Sequence, residues 1–125
     1  MREPAQSFTD ILAWQHAHRL TLAVYELTNA FPRSEMYTLT SQLRRAAASV
    51  PANIAEGFRT RFTKEKVRYL SIAHSSLEET RYFLILAHDL SYADTTSHRK
   101  LLEETSRLLF RYRSAIERRV QQSSD

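Results

Sequence analysis

One glycine and three prolines punctuate a chain of 125 residues, and that scarcity removes most architectures at once. Tight hairpins draw on glycine, asparagine and proline at fixed turn positions, so a sheet protein of this length would need many more of them. An all-α fold is what remains. The breakers fall at Phe31-Pro32-Arg33-Ser34, between Gly57 and Thr63, and at Asp94-Thr95. They predict an antiparallel, up-down four-helix bundle, a single domain over residues 1–125, with helices over about 7–30, 35–60, 64–91 and 95–121. Ser7, with Asp10 three residues on, reads as a weak capping box for the first helix. Ser34 reads as the cap of the second, and Asp94 or Thr95 as that of the fourth. Helices of ~25 residues are about 37 Å long, and short turns between them favour antiparallel neighbours.

Apolar residues recur at helical spacing and mark the faces that seek a core. Helix one offers Trp14, Ala17, Leu20 or Thr21, Val24, Leu27 and Phe31, and helix three Leu70, Ala73, Leu77, Leu84 and Ala87. Helix four offers Leu101, Leu102, Leu108, Leu109, Tyr112, Ile116 and Val120, followed by a polar tail. Helix three carries more than a bundle needs, with Tyr69, Tyr82, Phe83 and Ile85 spread around it. That surplus fits either deep burial within the bundle or an oligomer interface, and spacing alone leaves both open.

Helix two is the unusual one. Leu39, Leu43, Ala46, Val50 and Ile54 form its core face, while Gln42, Arg45, Ser49, Asn53 and Glu56 follow at steps of three and four and form a second, polar stripe. Ser and Asn are poor residues for an exposed helix interior, because they compete for backbone hydrogen bonds. Pro51 removes the amide that would bond the Ala47 carbonyl and costs roughly 3 kcal/mol in a helix interior. The fold must offset that loss.

Gln42-Leu-Arg-Arg-Ala-Ala and Ser49-Val-Pro-Ala-Asn-Ile-Ala-Glu-Gly57 resemble the signature of the four-helix-bundle proteins encoded in intervening sequences of bacterial 23S rRNA genes. Trp14-Gln15, Ala17, the Tyr25 region, Phe31-Pro32, Glu35, Tyr37, Ile72-Ala73, Ser76-Leu77 and Glu79 extend the resemblance over nearly the whole chain. Ser75 departs from it, standing where a glycine is expected. The resemblance implies a ring of small helical bundles, a homopentamer, without a catalytic residue set. It also implies kinship with the basic accessory variability proteins of diversity-generating retroelements, which act with a reverse transcriptase and nucleic acid. Ser76 and Glu79, which carry the resemblance on helix three, are the expected partners of Gln42, Arg45 or Asn53, in a buried network with Glu56 near its end. Such a network must be nearly complete, since an unpaired buried polar group costs ~1–3 kcal/mol. Its expected role is structural, holding helix two bent and in register.

The formal net charge is +4, a weak general attraction to polyanions. Arg59, Arg61, Lys64, Lys66 and Arg68 stand against Glu65 alone in the turn between helices two and three, a local excess equal to that of the whole chain. In a ring, each subunit would add the same patch to one rim. On helix four, Arg107, Arg111 and Arg118 share a face with Lys100. All but three of the basic residues are arginine, whose planar fork suits phosphate. Phe58, Phe62 and Tyr69 interleave with the basic turn and could stack on bases, although core packing is the expected use of Phe62 and Tyr69.

Chemistry is harder to place. No cysteine is present, which removes disulfides and thiolate sites and fits a reducing cytoplasm. The first residues have no apolar run, and no stretch approaches the ~20 apolar residues of a membrane span. The five histidines lack a Glu-x-x-His or HExxH setting, so neither a metal nor another cofactor is expected. Arg81 and His88 resemble the Arg-x(4 to 6)-His motif of HEPN-type ribonucleases, in which the histidine acts as general base and the arginine steadies phosphate charge. The expected function is therefore a non-catalytic, cytoplasmic ring that binds RNA, DNA or a nucleic-acid enzyme through arginine-rich surfaces. The alternatives are a purely scaffolding ring with a protein partner, and a metal-independent ribonuclease.

Overall fold

A computed structural model describes residues 4–123, with side chains described through Arg119. Among the described residues the chain forms four α-helices and no strand: α1 (Leu12–Thr28), α2 (Leu39–Arg59), α3 (Thr63–Asp89) and α4 (Thr96–Ser123). Short 3-10 turns, Phe8–Asp10 and Arg33–Glu35, precede α1 and α2. Each helix packs on two others, α2 on α1 and α3, and α4 on α3 and α1. One buried cluster, from Ile11 to Ile116, draws on all four. Leu20, Leu43, Ile54, Leu70, Leu77, Leu84, Leu102 and Leu109 are its largest fully buried side chains. Each contributes roughly 1.5–3 kcal/mol of transfer free energy. Val120 and the tail to Asp125 lie outside the residues whose side chains are described.

Two expected helix starts are displaced, and each for a local reason. Ser7 does form a capping box, but for the 3-10 turn: its amide donates to the Asp10 carboxylate at 3.2 Å, and its hydroxyl accepts from the Thr9 amide at 3.3 Å. Ile11 then turns extended, with φ −80° and ψ 123°, so α1 begins only at Leu12. Ser34 caps nothing. It sits inside the second 3-10 turn, whose Glu35 carboxylate accepts hydrogen bonds from Thr38 Oγ1 and, at 2.7 Å, from the Tyr92 hydroxyl. Those bonds hold the Glu35 carboxyl below the usual range, the Thr38 bond first. Gly57 likewise belongs to α2 rather than to a turn. A Cβ there would lie 3.4 Å from the Lys66 carbonyl and from Tyr69 Cβ, an ordinary contact distance, so α2 and α3 pass close to one another at this point.

At the other end of α3, Ser91 adopts φ 63°, and the Tyr92 and Ser91 amides donate to the carbonyls of Ala87 and His88 at 2.9 and 3.0 Å. This is a Schellman stop, with serine at the left-handed position that glycine normally takes. The chain then enters α4, where the Asp94 carboxylate accepts from the Thr96 amide at 3.0 Å. Thr95 turns inward instead, and its hydroxyl donates to the Leu84 carbonyl at 2.8 Å.

The proline in α2 finds its compensation on α1. Thr21 is half-buried at the α1–α2 seam, and its hydroxyl lies 3.0 Å from the Ala47 carbonyl, the acceptor that Pro51 deprives of an amide. The same hydroxyl is 2.9 Å from its own helix's Ala17 carbonyl, so one proton is shared between two acceptors. Leu20, beside it, is fully buried and takes the core position.

Two outcomes follow from these backbone repairs. Thr21→Val, nearly isosteric, should lower the unfolding free energy by about 1–2 kcal/mol, because the Ala47 carbonyl is left unpaired. In a Pro51→Ala background, where an amide returns to that carbonyl, the same change should cost clearly less; equal costs in a double-mutant cycle measured by urea unfolding would refute the pairing. Ser91→Gly should raise the urea midpoint, with a gain of about 0.5–1 kcal/mol, since glycine enters the left-handed region without the steric cost.

Candidate nucleic-acid interface

The turn between α2 and α3 spans Thr60 to Phe62, and five basic residues surround it. Their surroundings differ sharply. α2 ends at Arg59, so the carbonyls of its last turn lack amide partners. Lys66 reaches back from α3 to supply them: its Nζ donates to the carbonyls of Gly57 and Phe58, each at 3.1 Å. Burial, and next the positive field of Arg119 on α4, hold this ammonium below the ordinary lysine range. Lys66 is therefore a helix cap, and its donors are turned toward the protein.

Arg59 and Arg68 are also engaged. Arg59 lies 3.4 Å from Glu56, and Arg68 pairs with Glu65 at 3.0 Å while its guanidinium stacks 4.6 Å from the centre of the Tyr69 ring. Both pairs are solvent-exposed, and such pairs contribute little stability. A phosphate could draw either arginine away at small expense. Arg61 and Lys64 are exposed, and among the described residues neither has a carboxylate partner.

Phe62 is the departure from expectation. It is 71% exposed, whereas Phe58 packs against the core and Tyr69 is half-buried under Arg68. Residue type alone assigns such a ring to the core, and only the position of the turn ahead of α3 shows otherwise. Arg107, Arg111 and Arg118 are all exposed on α4. Arg107 and Arg118 are about 16 Å apart along the helix, so only the later part of α4 approaches the basic turn. Arg119 marks that approach through its effect on Lys66. Arg111 instead borders a cleft of about 640 Å³ between the amino-terminal segment and α4, floored by Ile11, Leu108 and Tyr112.

The polar stripe of α2 forms a much smaller network than expected. Ser49 Oγ meets Ser76 Oγ at 2.8 Å across the α2–α3 seam, and Asn53 Nδ2 donates to the Ser49 carbonyl and hydroxyl at 2.8 and 3.0 Å. These three are half-buried. Gln42, Arg45 and Glu79 are exposed instead, and Glu56 turns to Arg59 on its own helix. The reason is steric. The stripe runs along the rim of the seam, where serine-sized groups meet and longer side chains swing into the open.

The ribonuclease-like pair is also committed elsewhere. Arg81 is held by the carboxylates of Glu78 and Glu103. His88 Nδ1 lies 3.3 Å from the Thr95 amide and 3.7 Å from the Asp94 carboxylate, so that nitrogen is engaged in the turn before α4. The two residues are about 10 Å apart along the helix. Among the described residues no three His, Asp or Glu side chains are grouped as a metal would require, and no helix is long and apolar enough to cross a membrane.

A family profile described as 23S rRNA-intervening sequence protein matches residues 9–111. The chain belongs to this family. Among curated proteins, none matches it in sequence. The matched span runs from the first 3-10 turn into α4, so the Pro51 seam and the whole basic turn lie within the family region, while Arg118 and Arg119 lie beyond it.

The division of the basic turn into caps and free cations is measurable without a ligand. Lys66→Ala should lower the unfolding free energy by about 1 kcal/mol, as two α2 carbonyls lose a charged donor. Lys64→Ala should leave the unfolding free energy within about 0.5 kcal/mol of the parent's. Equal losses for the two variants would contradict the capping role.

Proposed function

We propose that this chain is a non-catalytic, antiparallel up-down bundle that assembles into a cyclic homo-oligomer and binds nucleic acid through the basic end of each subunit. The observation that carries the proposal is the charge at one end: Arg61 and Lys64 stand exposed in the α2–α3 turn, and Arg119 on the later part of α4, exposed like its neighbour Arg118, adds its positive field at Lys66. No acidic residue interrupts Arg59 to Lys64, and the one acid that follows, Glu65, faces Arg68. A surface of that kind attracts phosphate by charge and by the geometry of the guanidinium fork.

The antiparallel order is supported by paired positions along three seams: Ser49 with Ser76 and Gly57 with Tyr69 between α2 and α3, Thr21 with Ala47 and Thr28 with Arg44 between α1 and α2, Arg81 with Glu103 and Leu84 with Thr95 between α3 and the start of α4. Assembly is supported by apolar surface left exposed on several helices: Leu22 and Tyr25 on α1, Tyr37 just before α2, Tyr82 on α3 and Phe110 on α4. A ring larger than a dimer needs two different patches that meet head to tail. The number five rests on the family resemblance, and each subunit's basic end would then join one rim whose repeated sites strengthen binding. The lack of cysteine accords with a reducing cytoplasm.

Titration of fluorescent structured RNA, single-stranded DNA and duplex DNA at two salt concentrations tests this. Affinity should fall steeply with salt, by a slope of roughly 0.7–0.9 per phosphate neutralised. Joint reversal of Arg61, Lys64 and Arg118 to glutamate should weaken binding at least about tenfold and lower the slope by about 2, with the oligomer's mass by light scattering unchanged. Absence of salt-dependent binding would favour a scaffold for a protein partner, and a reversed variant that binds like the parent would move the interface elsewhere.

A further inference from the structure

We infer that Phe62 is a stacking platform that makes the basic end selective for single-stranded nucleic acid, an inference that rests on the nucleic-acid function proposed above. Phe62 occupies the residue just before α3, in an extended conformation of φ −88° and ψ 126°, and its side chain makes no capping hydrogen bond. Serine, threonine, aspartate or asparagine is favoured at such a position because its oxygen satisfies an orphan amide of the first turn. Phenylalanine forgoes that bond. It also forgoes burial, since 71% of it faces solvent. A residue that fails both local requirements stands where function rather than folding is the better explanation.

The neighbours narrow what that function is. Arg61 precedes the ring, Lys64 follows it by two residues, and both cations are exposed without a carboxylate partner among the described residues. An exposed aromatic face between free cations matches the two parts of a nucleotide, a flat base and a phosphate on either side. Duplex offers only its phosphates here, because its bases are stacked on one another. A single strand offers both, and stacking is tolerant of sequence because every base has a π-face. Nearby rings do not share this role: Phe58 is packed against the core with Lys66 beside it, and Tyr69 already lies under Arg68. An apolar protein partner would find a less suitable surface, because the exposed charges of Arg61 and Lys64, one and two residues away in the chain, would have to be desolvated with the ring.

The test compares three probes of equal phosphate count at one salt concentration: oligo-deoxythymidine, the same sugar-phosphate strand without bases, and a duplex. The parent should bind oligo-deoxythymidine about 5- to 100-fold more tightly than the abasic strand. Phe62→Ser should abolish that preference while leaving abasic and duplex affinity unchanged, and Phe62→Trp should keep it. Because serine can cap α3, the Phe62→Ser protein should unfold at the same temperature as the parent or higher, and a binding loss is then not a folding loss. Lys64→Ser should weaken all three probes alike. If the parent binds oligo-deoxythymidine and abasic strand equally, or Phe62→Ser keeps the preference, stacking is wrong while the polyanion interface stands. Dissociation of the oligomer in Phe62→Ser would make Phe62 an assembly contact and overturn the inference, and failure of the parent to bind any probe would overturn both proposals.

Discussion

The shared proton of Thr21 is the contact on which the arrangement of α1 and α2 turns. Pro51 sits among the fully buried residues of α2, where solvent is not at hand to satisfy the Ala47 carbonyl. A helix can tolerate such a gap only if another element supplies the donor. Thr21 supplies it across the seam, and in doing so ties α1 to one register on α2. Apolar packing alone is permissive about sliding, because alanine- and leucine-rich faces fit in more than one way. A polar contact that works at only one offset is not. Arg44 repeats the device one end along, bonding Thr28 Oγ1 at 2.8 Å and Asn29 Oδ1 at 3.2 Å while its guanidinium covers the Tyr25 ring. The seam between α2 and α3 has its own version in Ser49 and Ser76.

The same economy governs charge. A protein with an excess of arginine must keep its cations from crowding one another, and here many of them are assigned to helix ends and neighbouring carboxylates. Lys66 closes α2, Arg81 bridges Glu78 and Glu103, and Arg113 pairs with Glu117 at 2.7 Å. Within the α2–α3 turn two cations remain unassigned, and on α4 Arg107, Arg111 and Arg118 are likewise exposed without a carboxylate partner among the described residues. Arg61 and Lys64 are left facing solvent beside the exposed Phe62, so the patch is defined less by how many basic residues the turn contains than by which of them the fold has not already used.

Much of the fold was legible because periodicity and punctuation report on backbone geometry directly. The apolar stripes Leu39 to Ile54 and Leu70 to Ala87 are buried as their spacing requires, and the scarcity of glycine and proline rightly argues against a sheet, although only Pro32 of the four stands between two helices while Pro51 and Gly57 lie inside α2. Helix starts were less legible. Ser7 and Ser34 have the chemistry of caps, but a capped 3-10 turn and an α-helix begin with the same residues, and tertiary bonds such as Tyr92 to Glu35 decide between them. The polar stripe was misjudged for a related reason. Spacing places Gln42, Arg45 and Glu56 on one face with Ser49 and Asn53, but how near that face comes to α3 depends on the width of the seam, which a single helix does not encode.

The site was legible as a region and not as residues. Charge counting finds the turn between Arg59 and Arg68, because net charge is additive along a sequence. It does not find that Lys66 is spent on two carbonyls, since capping depends on where α2 stops relative to α3. Nor does it find the exposure of Phe62, which apolar counting assigns to the core by residue type. Both follow from one geometric fact: the chain reverses within Thr60 to Phe62, so side chains just before α3 point away from the bundle while those one helical turn further on fold back over the end of α2. A turn this short leaves Arg61 and Phe62 exposed, and what those two positions display is less constrained by packing than the helix faces around them.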